Sequence, residues 1–368
     1  MNAVKLSNLF LKTAVVLCLT AALAFGATPA SLTMGKAELK SAGPLAFGPD
    51  GILFVGDSAN ATIVALDSDD RTPVKSAGKI EIAAVNQKIA ALLGTAPDQI
   101  LVNDLAVNPI SKKVYLSISR GRGPDAAAVI LRVDASGKIT ELALDNIKHS
   151  MVSLPDAPVA KTTGGKGPNP RMEAITHLAF INGNVVVAGL SNEEFSSSLR
   201  SIPFPFQQAA KGSSIEIYHG SHGRFETNAP VRTFVPFNIK SEPYILAAYT
   251  CTPLVKIPVS ALKPGAKVKG TTIAELGNHN RPLDMVAYTK NGKDYILMAN
   301  SSRGVMKVAA TGLDSYQPIT AQTEVTGVPY ETIAGLKGVQ QLDKLDEANA
   351  LMLMDNEGSL DLRTVPFP

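Results

Sequence analysis

Short apolar runs separated by turn residues make up most of the chain. The clearest stretch is LAFGPDGILFVGDSANATIVALD, residues 45–67. Runs rich in β-branched and aromatic residues are divided there by a Gly-Pro-Asp-Gly turn and a polar gap, which predicts three consecutive antiparallel strands. KIEIAAV, 79–85, supplies a fourth strand and completes one unit. DLAVNP, KVYLSIS, AAVILRVD and KITELAL form a second unit, and RTFVPF, YILAAYT, PLVKIPV and KGTTIAEL a fourth. The third reads THLAFIN and NVVVAGL, then a long insertion at 192–213, then SIEIYHG and RFETNAP. LDMVAY, YILMAN, GVMKVAA and TAQTEV form the fifth. The sixth ends after VQQLDKL, NALMLMD and LDLRTV, without a fourth strand.

Four-stranded units repeating at about 55 residues predict an all-β, six-bladed β-propeller, in which radial repetition protects the sheet edges. Residues 31–368 are expected to form this single domain, and the insertions leave room for a seventh blade. SLTMGKAELKSA, 31–42, precedes the first unit and is expected to supply the missing outer strand of the last blade, closing the ring between the two termini. One helix is predicted at IAAVNQKIAALLG, 82–94, from apolar residues at three- and four-residue spacing and a C-terminal Gly94.

The N-terminus changes this picture only by being removed. Lys5 and Lys12 precede the apolar run TAVVLCLTAALAF, and Ala22-Leu23-Ala24 fits a cleavage site, so residues 1–30 read as a signal peptide. The mature protein is then periplasmic or secreted, and no later run is long and apolar enough to span a membrane. Loss of Lys5 and Lys12 lowers 35 basic residues to 33 against 32 acidic ones, a formal charge of +1. No basic stripe marks a nucleic-acid face. Loss of Cys18 leaves Cys251 alone, so no internal disulfide can form.

LAFGPDGILFVGD resembles the opening of a blade in NHL-repeat propellers and in the gluconolactonase-like, senescence-marker propellers. The resemblance covers about one blade closely and the remainder by pattern alone. Those families include metal-dependent lactonases and esterases as well as pure binding modules. The lactonases hold a divalent metal at the channel mouth with a Glu, an Asn and an Asp; the full trio has no placement in this sequence.

With strands lettered A to D from the channel outward, B–C loops and D-to-A connections share one propeller face. The stretch at 148–171, rich in Pro, Gly and Lys, and the insertion at 192–213 with its IPFPF segment are both expected there, as loops on a binding face. Aligning the A strands gathers Pro44, Asp104, His177, Thr233, Asp284 and Gln341 into one ring position. The ends of the B strands gather Asp57, Ser119, Leu190, Tyr249, Asn300 and Asp355, with Arg303 just beyond. Glu173 and Arg281 lie where the chain enters strand A. Asp104, His177, Asp284 and Glu173 could hold Ca²⁺, Mn²⁺ or Zn²⁺, or one of the acids could act as a general base. The competing reading is that these polar groups hydrogen-bond the backbone of neighbouring blades.

His219 and His222, in YHGSHGR, look like a metal pair but fall, in this register, on the opposite face and are expected to be structural or solvent-facing. Cys251 is expected to be a small buried residue without a histidine partner. TTGGKGPNP lacks the spacing of a phosphate loop, and GxSxG, HExxH, CxxC and CxxCH are absent. The sequence therefore points to an exported propeller binding a small molecule or protein partner on its loop-rich face. The alternative is a metal-dependent hydrolase of the lactonase type; a quinone-dependent redox enzyme is a third reading.

Overall fold

The computed structural model describes residues 32–161 and 168–368. The signal-peptide reading of residues 1–30 and the core of TTGGKGPNP lie outside the described residues. Six antiparallel sheets surround a central channel in a six-bladed β-propeller, numbered here by the chain order of their A strands. The strands are short because each blade must fit between two neighbours, and they are apolar on both faces because both are covered. In blade 1, Ile52, Leu53, Phe54 and Val55 are all fully buried.

The blades do not follow one another in chain order. Contacts between A strands give the ring order 1, 3, 4, 5, 6, 2 and back to 1. Blade 2 is built from Ile100–Val107, Val114–Arg120, Ala127–Val133 and Ile139–Glu141. Blade 1 takes Leu45–Phe47, Ile52–Asp57 and Thr62–Asp67 from the N-terminal region, but its D strand is Ile147–Ser153, which the chain reaches only after finishing blade 2. Blade 6 takes Val339–Lys344, Asn349–Asn356 and Ser359–Pro366 from the C-terminal region, and its D strand is Glu81–Ile82. KIEIAAV therefore closes blade 6, not blade 1. Residues 31–42 do not close blade 6: Thr33–Gly35 adds a fifth strand outside Ile147–Ser153. The helix forms as expected, Val85–Leu93 with Gly94 at φ 63 as its cap, and buries Val85, Ile89 and Leu93.

Four further expectations are corrected. Residues 192–213 are not an insertion, because Ser197–Pro203 is the C strand of blade 3 and Ser213–His219 its D strand. Arg224–Glu226 becomes an extra outer strand. IPFPF is core material: Phe204 and Phe206 pack on Phe54 of blade 1 at ring-centroid distances of 5.0 and 5.8 Å. TAQTEV is not the D strand of blade 5; Tyr330–Thr332 is, and Val325–Gly327 pairs with blade 4 instead.

Residues 68–80 must cross beneath blade 2 to link blade 1 with blade 6, and one carboxylate pins the crossing. Asp70 is buried and accepts from Lys113 Nζ at 2.7 Å, Ser111 Oγ at 2.6 Å and Tyr115 Oη at 3.1 Å. Its own carbonyl accepts from Asn108 Nδ2 at 2.8 Å. Burial pushes the Asp70 carboxyl up, but these donors outweigh it and hold the group below its ordinary value. Asp70→Ala should destabilise the fold by about 3 kcal/mol in urea titrations, since it strands a partly buried lysine and the crossing segment. A lowered native pKa gives stability that is present above the unfolded value and lost as pH falls, so the difference from wild type should shrink below about pH 4.

Candidate functional site: the channel and its mouth

The six A strands line a channel cavity of about 480 Å³. Three acids in it are used as clasps between blades. Asp104 Oδ2 accepts from the Leu45 amide of blade 1 at 2.7 Å, and its Oδ1 from Leu105 at 2.8 Å. Asp284 Oδ2 accepts from Leu342 of blade 6 at 2.9 Å, and its Oδ1 from Met285 at 2.8 Å. Asp343 of blade 6 accepts from Val107 of blade 2 at 2.7 Å. His177 stands edge-on to Phe234 of blade 4, with ring centroids 4.8 Å apart. Enclosure pushes Asp104 up to about 7 and Asp343 up to about 6. Asp284 is raised by enclosure and by the nearby Asp104. Enclosure lowers His177 to about 4.

Glu173 is not with them. It lies at the channel mouth, on the face carrying the D-to-A connections, in a second cavity of about 340 Å³. Asn103, Ser119, Arg232 and Arg281 also line it. Glu173 Oε1 is 2.7 Å from Arg232 Nη1, and Arg232 Nε donates to Thr250 Oγ1 at 3.2 Å. Arg281 is exposed, and its guanidinium has no hydrogen-bond or ion-pair partner among the described residues. Partial desolvation and the adjacent Arg232 lower its pKa, while Glu173 acts the other way. The mouth thus carries two guanidinium groups and one carboxylate.

The remaining sequence candidates have other neighbours. Asp57 is fully buried and accepts from the Lys40 and Ser41 amides at 2.8 and 2.9 Å, anchoring the N-terminal segment. Tyr249 is buried in the core between blades 3 and 4. Asn300 is buried and accepts from Asn280 Nδ2 at 2.8 Å. Arg303 Nη2 donates to the Asn278 carbonyl at 3.0 Å, in a separate cavity. Asp343 and Arg232 were not singled out from sequence. Asp343 lies two residues after Gln341, hence on the same strand face, and Arg232 precedes its A strand as Arg281 does.

Two histidine expectations change. With the blade 3 register corrected, His219 ends its D strand and His222 follows it, so both lie on the mouth-bearing face. Cys251 is half-buried and has both imidazoles beside it. Among the described residues, this trio is the one group of three or more His, Cys, Asp or Glu side chains with donor atoms all within 4.8 Å of one another.

No known protein family and no curated protein matches the chain. Solved structures do. A putative oxidoreductase (glucose dehydrogenase) from Thermus thermophilus aligns over 91% of this chain and 100% of its own, at 12% identity and a TM-score of 0.35. The PQQ-bound aldose sugar dehydrogenase of Streptomyces coelicolor aligns over 92% and 100%, at 12% identity and 0.30. The plexin A4 extracellular region aligns over 92% of this chain and 40% of its own, at 8% identity and 0.41. These are distant likenesses of fold and not of chemistry. Among the described residues, no helix is long and apolar enough to cross a membrane.

Carboxyls raised in the native state take up protons on folding, so their contribution is largest below the unfolded value and is lost as pH rises through the folded one. For Asp104 that window runs from about 4 to about 7. Asp104→Asn keeps one acceptor and cannot ionise. Its melting temperature, followed from pH 4 to 8, should fall less with rising pH than that of the wild type.

Proposed function

We propose that this protein is an exported binding propeller that takes a small acidic molecule at the channel mouth, with residues 1–30 as its signal peptide and 31–368 as the functional unit. The unpartnered Arg281 guanidinium carries the reading. A cationic fork held in a concave, polar cavity is suited to bidentate recognition of a carboxylate or phosphate. Arg232 is already oriented by Glu173 and Thr250, so it can support the ligand's charge without first being ordered. Asn103 and Ser119, joined by a 2.9 Å bond from Nδ2 to Oγ, add neutral polar groups to the lining. The metal-dependent hydrolase draws less support, because both oxygens of Asp104 and of Asp284 already accept backbone amides.

Calorimetric titration of the purified protein with acetate, gluconate, citrate and inorganic phosphate tests this. At least one anion should bind, more weakly at high salt. Arg281→Gln should weaken that binding about tenfold or more, roughly 1.4 kcal/mol, with the melting temperature unchanged. Binding indifferent to Arg281→Gln, or none of the four anions binding at millimolar concentration, would overturn the reading.

A further inference from the structure

At the outer rim of the same face, a hairpin of blade 3 meets a tight turn of blade 4. The hairpin joins Ser213–His219 to Arg224–Glu226, and the turn joins Glu242–Ala248 to Pro253–Pro258. His219 and His222 come from the first and Cys251 from the second. One imidazole nitrogen of each histidine and the Cys251 sulfur all lie within 4.8 Å of one another.

A single carboxylate orients both imidazoles. Glu226 Oε2 is 2.8 Å from His219 Nδ1, and its Oε1 is 2.7 Å from His222 Nδ1. In the neutral rings this puts the proton on Nδ1 and leaves Nε2 as the electron-pair donor, the arrangement by which second carboxylates prepare histidines for a metal. The two rings lie 3.8 Å apart between centroids.

The free donors are the second observation. The His219 side chain is 3% exposed, yet its Nε2 has no hydrogen-bond partner among the described residues. Beside the hairpin, buried Glu275 accepts from the Gly220 amide through Oε1 at 2.6 Å, while its Oε2 is also unpartnered. A buried nitrogen lone pair left without a donor is costly, and a cation bound at His219 Nε2 would offset it.

We propose that His219, His222 and Cys251 form a metal site for a late first-row ion, Zn²⁺ foremost, with Glu226 as the carboxylate that orients the two imidazoles. Two imidazoles and a thiolate suit Zn²⁺ and exclude the hard cations Ca²⁺ and Mg²⁺, which take oxygen donors. On binding, the Cys251 thiol releases its proton to solvent and a metal–sulfur bond forms. Three protein donors leave a fourth position for water or an outside ligand. His222, whose side chain is 41% exposed, marks the solvent side. The ion would tie blade 3 to blade 4, and this site is separate from the arginine-lined mouth.

The test uses the purified protein after chelator treatment. It should take up one equivalent of Zn²⁺, and Zn²⁺ should slow labelling of Cys251 by a maleimide. Co²⁺ in its place should give a tetrahedral visible spectrum with a thiolate-to-metal band in the near ultraviolet, and Cys251→Ser should abolish that band. Glu226→Gln should weaken Zn²⁺ binding about 10–100-fold. His222→Gln alters an exposed side chain that the fold can lose, and it should weaken binding while leaving the metal-free melting temperature in place. No Zn²⁺ uptake at micromolar concentration would overturn the proposal. So would uptake that neither His222→Gln nor Cys251→Ser changes, or a cobalt spectrum without the thiolate band.

Discussion

Every blade has an outer edge, and an unpaired edge is an open row of backbone donors and acceptors. The chain's layout follows from that constraint. Blades 1 and 6 each lack a D strand of their own, and each receives one from the interior of the sequence. The donors, Ile147–Ser153 and Glu81–Ile82, flank blade 2, so that blade is inserted between its composite neighbours. Crossing from blade 1 to blade 6 then requires residues 68–80 to run under blade 2, which is why a buried aspartate with three side-chain donors stands in the middle of that crossing.

The inner end of the ring is held differently. Six A strands converge on an open channel rather than a shared core, and the blades are joined there by side-chain oxygens bonding to neighbouring backbone. Asp104, Asp284 and Asp343 each bridge two blades in this way, and Thr176 Oγ1 adds a bond to the Val231 carbonyl of blade 4 at 2.6 Å. An amide donor satisfies an enclosed carboxylate only partly. The cost is visible in acids raised toward neutral pH, and it is set against the rigidity of a closed ring.

Strand identity was legible in the sequence where a strand repeats the apolar pattern on its own. The three strands at 45–67 and nearly all A, B and C strands follow from alternation and turn residues alone. The D strands of blades 2 and 4 were legible as well, but those of blades 1 and 6 were not, because pairing with a distant segment leaves no local mark: KIEIAAV reads as a strand but does not say which sheet it joins. SSLRSIP in blade 3 was missed because serines and Arg200 interrupt its apolar run. Arg200 is nevertheless buried, held by Asp156 through Nε at 3.1 Å and Nη2 at 2.6 Å. That error moved the register of blade 3 and sent His219 and His222 to the wrong face. Cys251 looked isolated for the same reason, since its neighbours are about thirty residues away in the chain and across a blade boundary.

One turn connects the two candidate sites on this face. Thr250 Oγ1 accepts from Arg232, the Cys251 amide donates to the Asn280 carbonyl at 2.7 Å, and Arg281 follows directly. Cys251 and Thr252 both have left-handed backbone, φ 65 and 58, a conformation that a β-branched threonine adopts only when its surroundings impose it. Thr252 Oγ1 helps to impose it by bonding the Gly277 carbonyl at 2.7 Å. The strained turn therefore presents the sulfur toward the histidines on one side and orders the backbone ahead of Arg281 on the other. An ion held by Cys251 would restrain the turn that also holds Arg232 through Thr250 and the backbone of Asn280 ahead of Arg281, so rim and mouth share one mechanical element although they share no ligand.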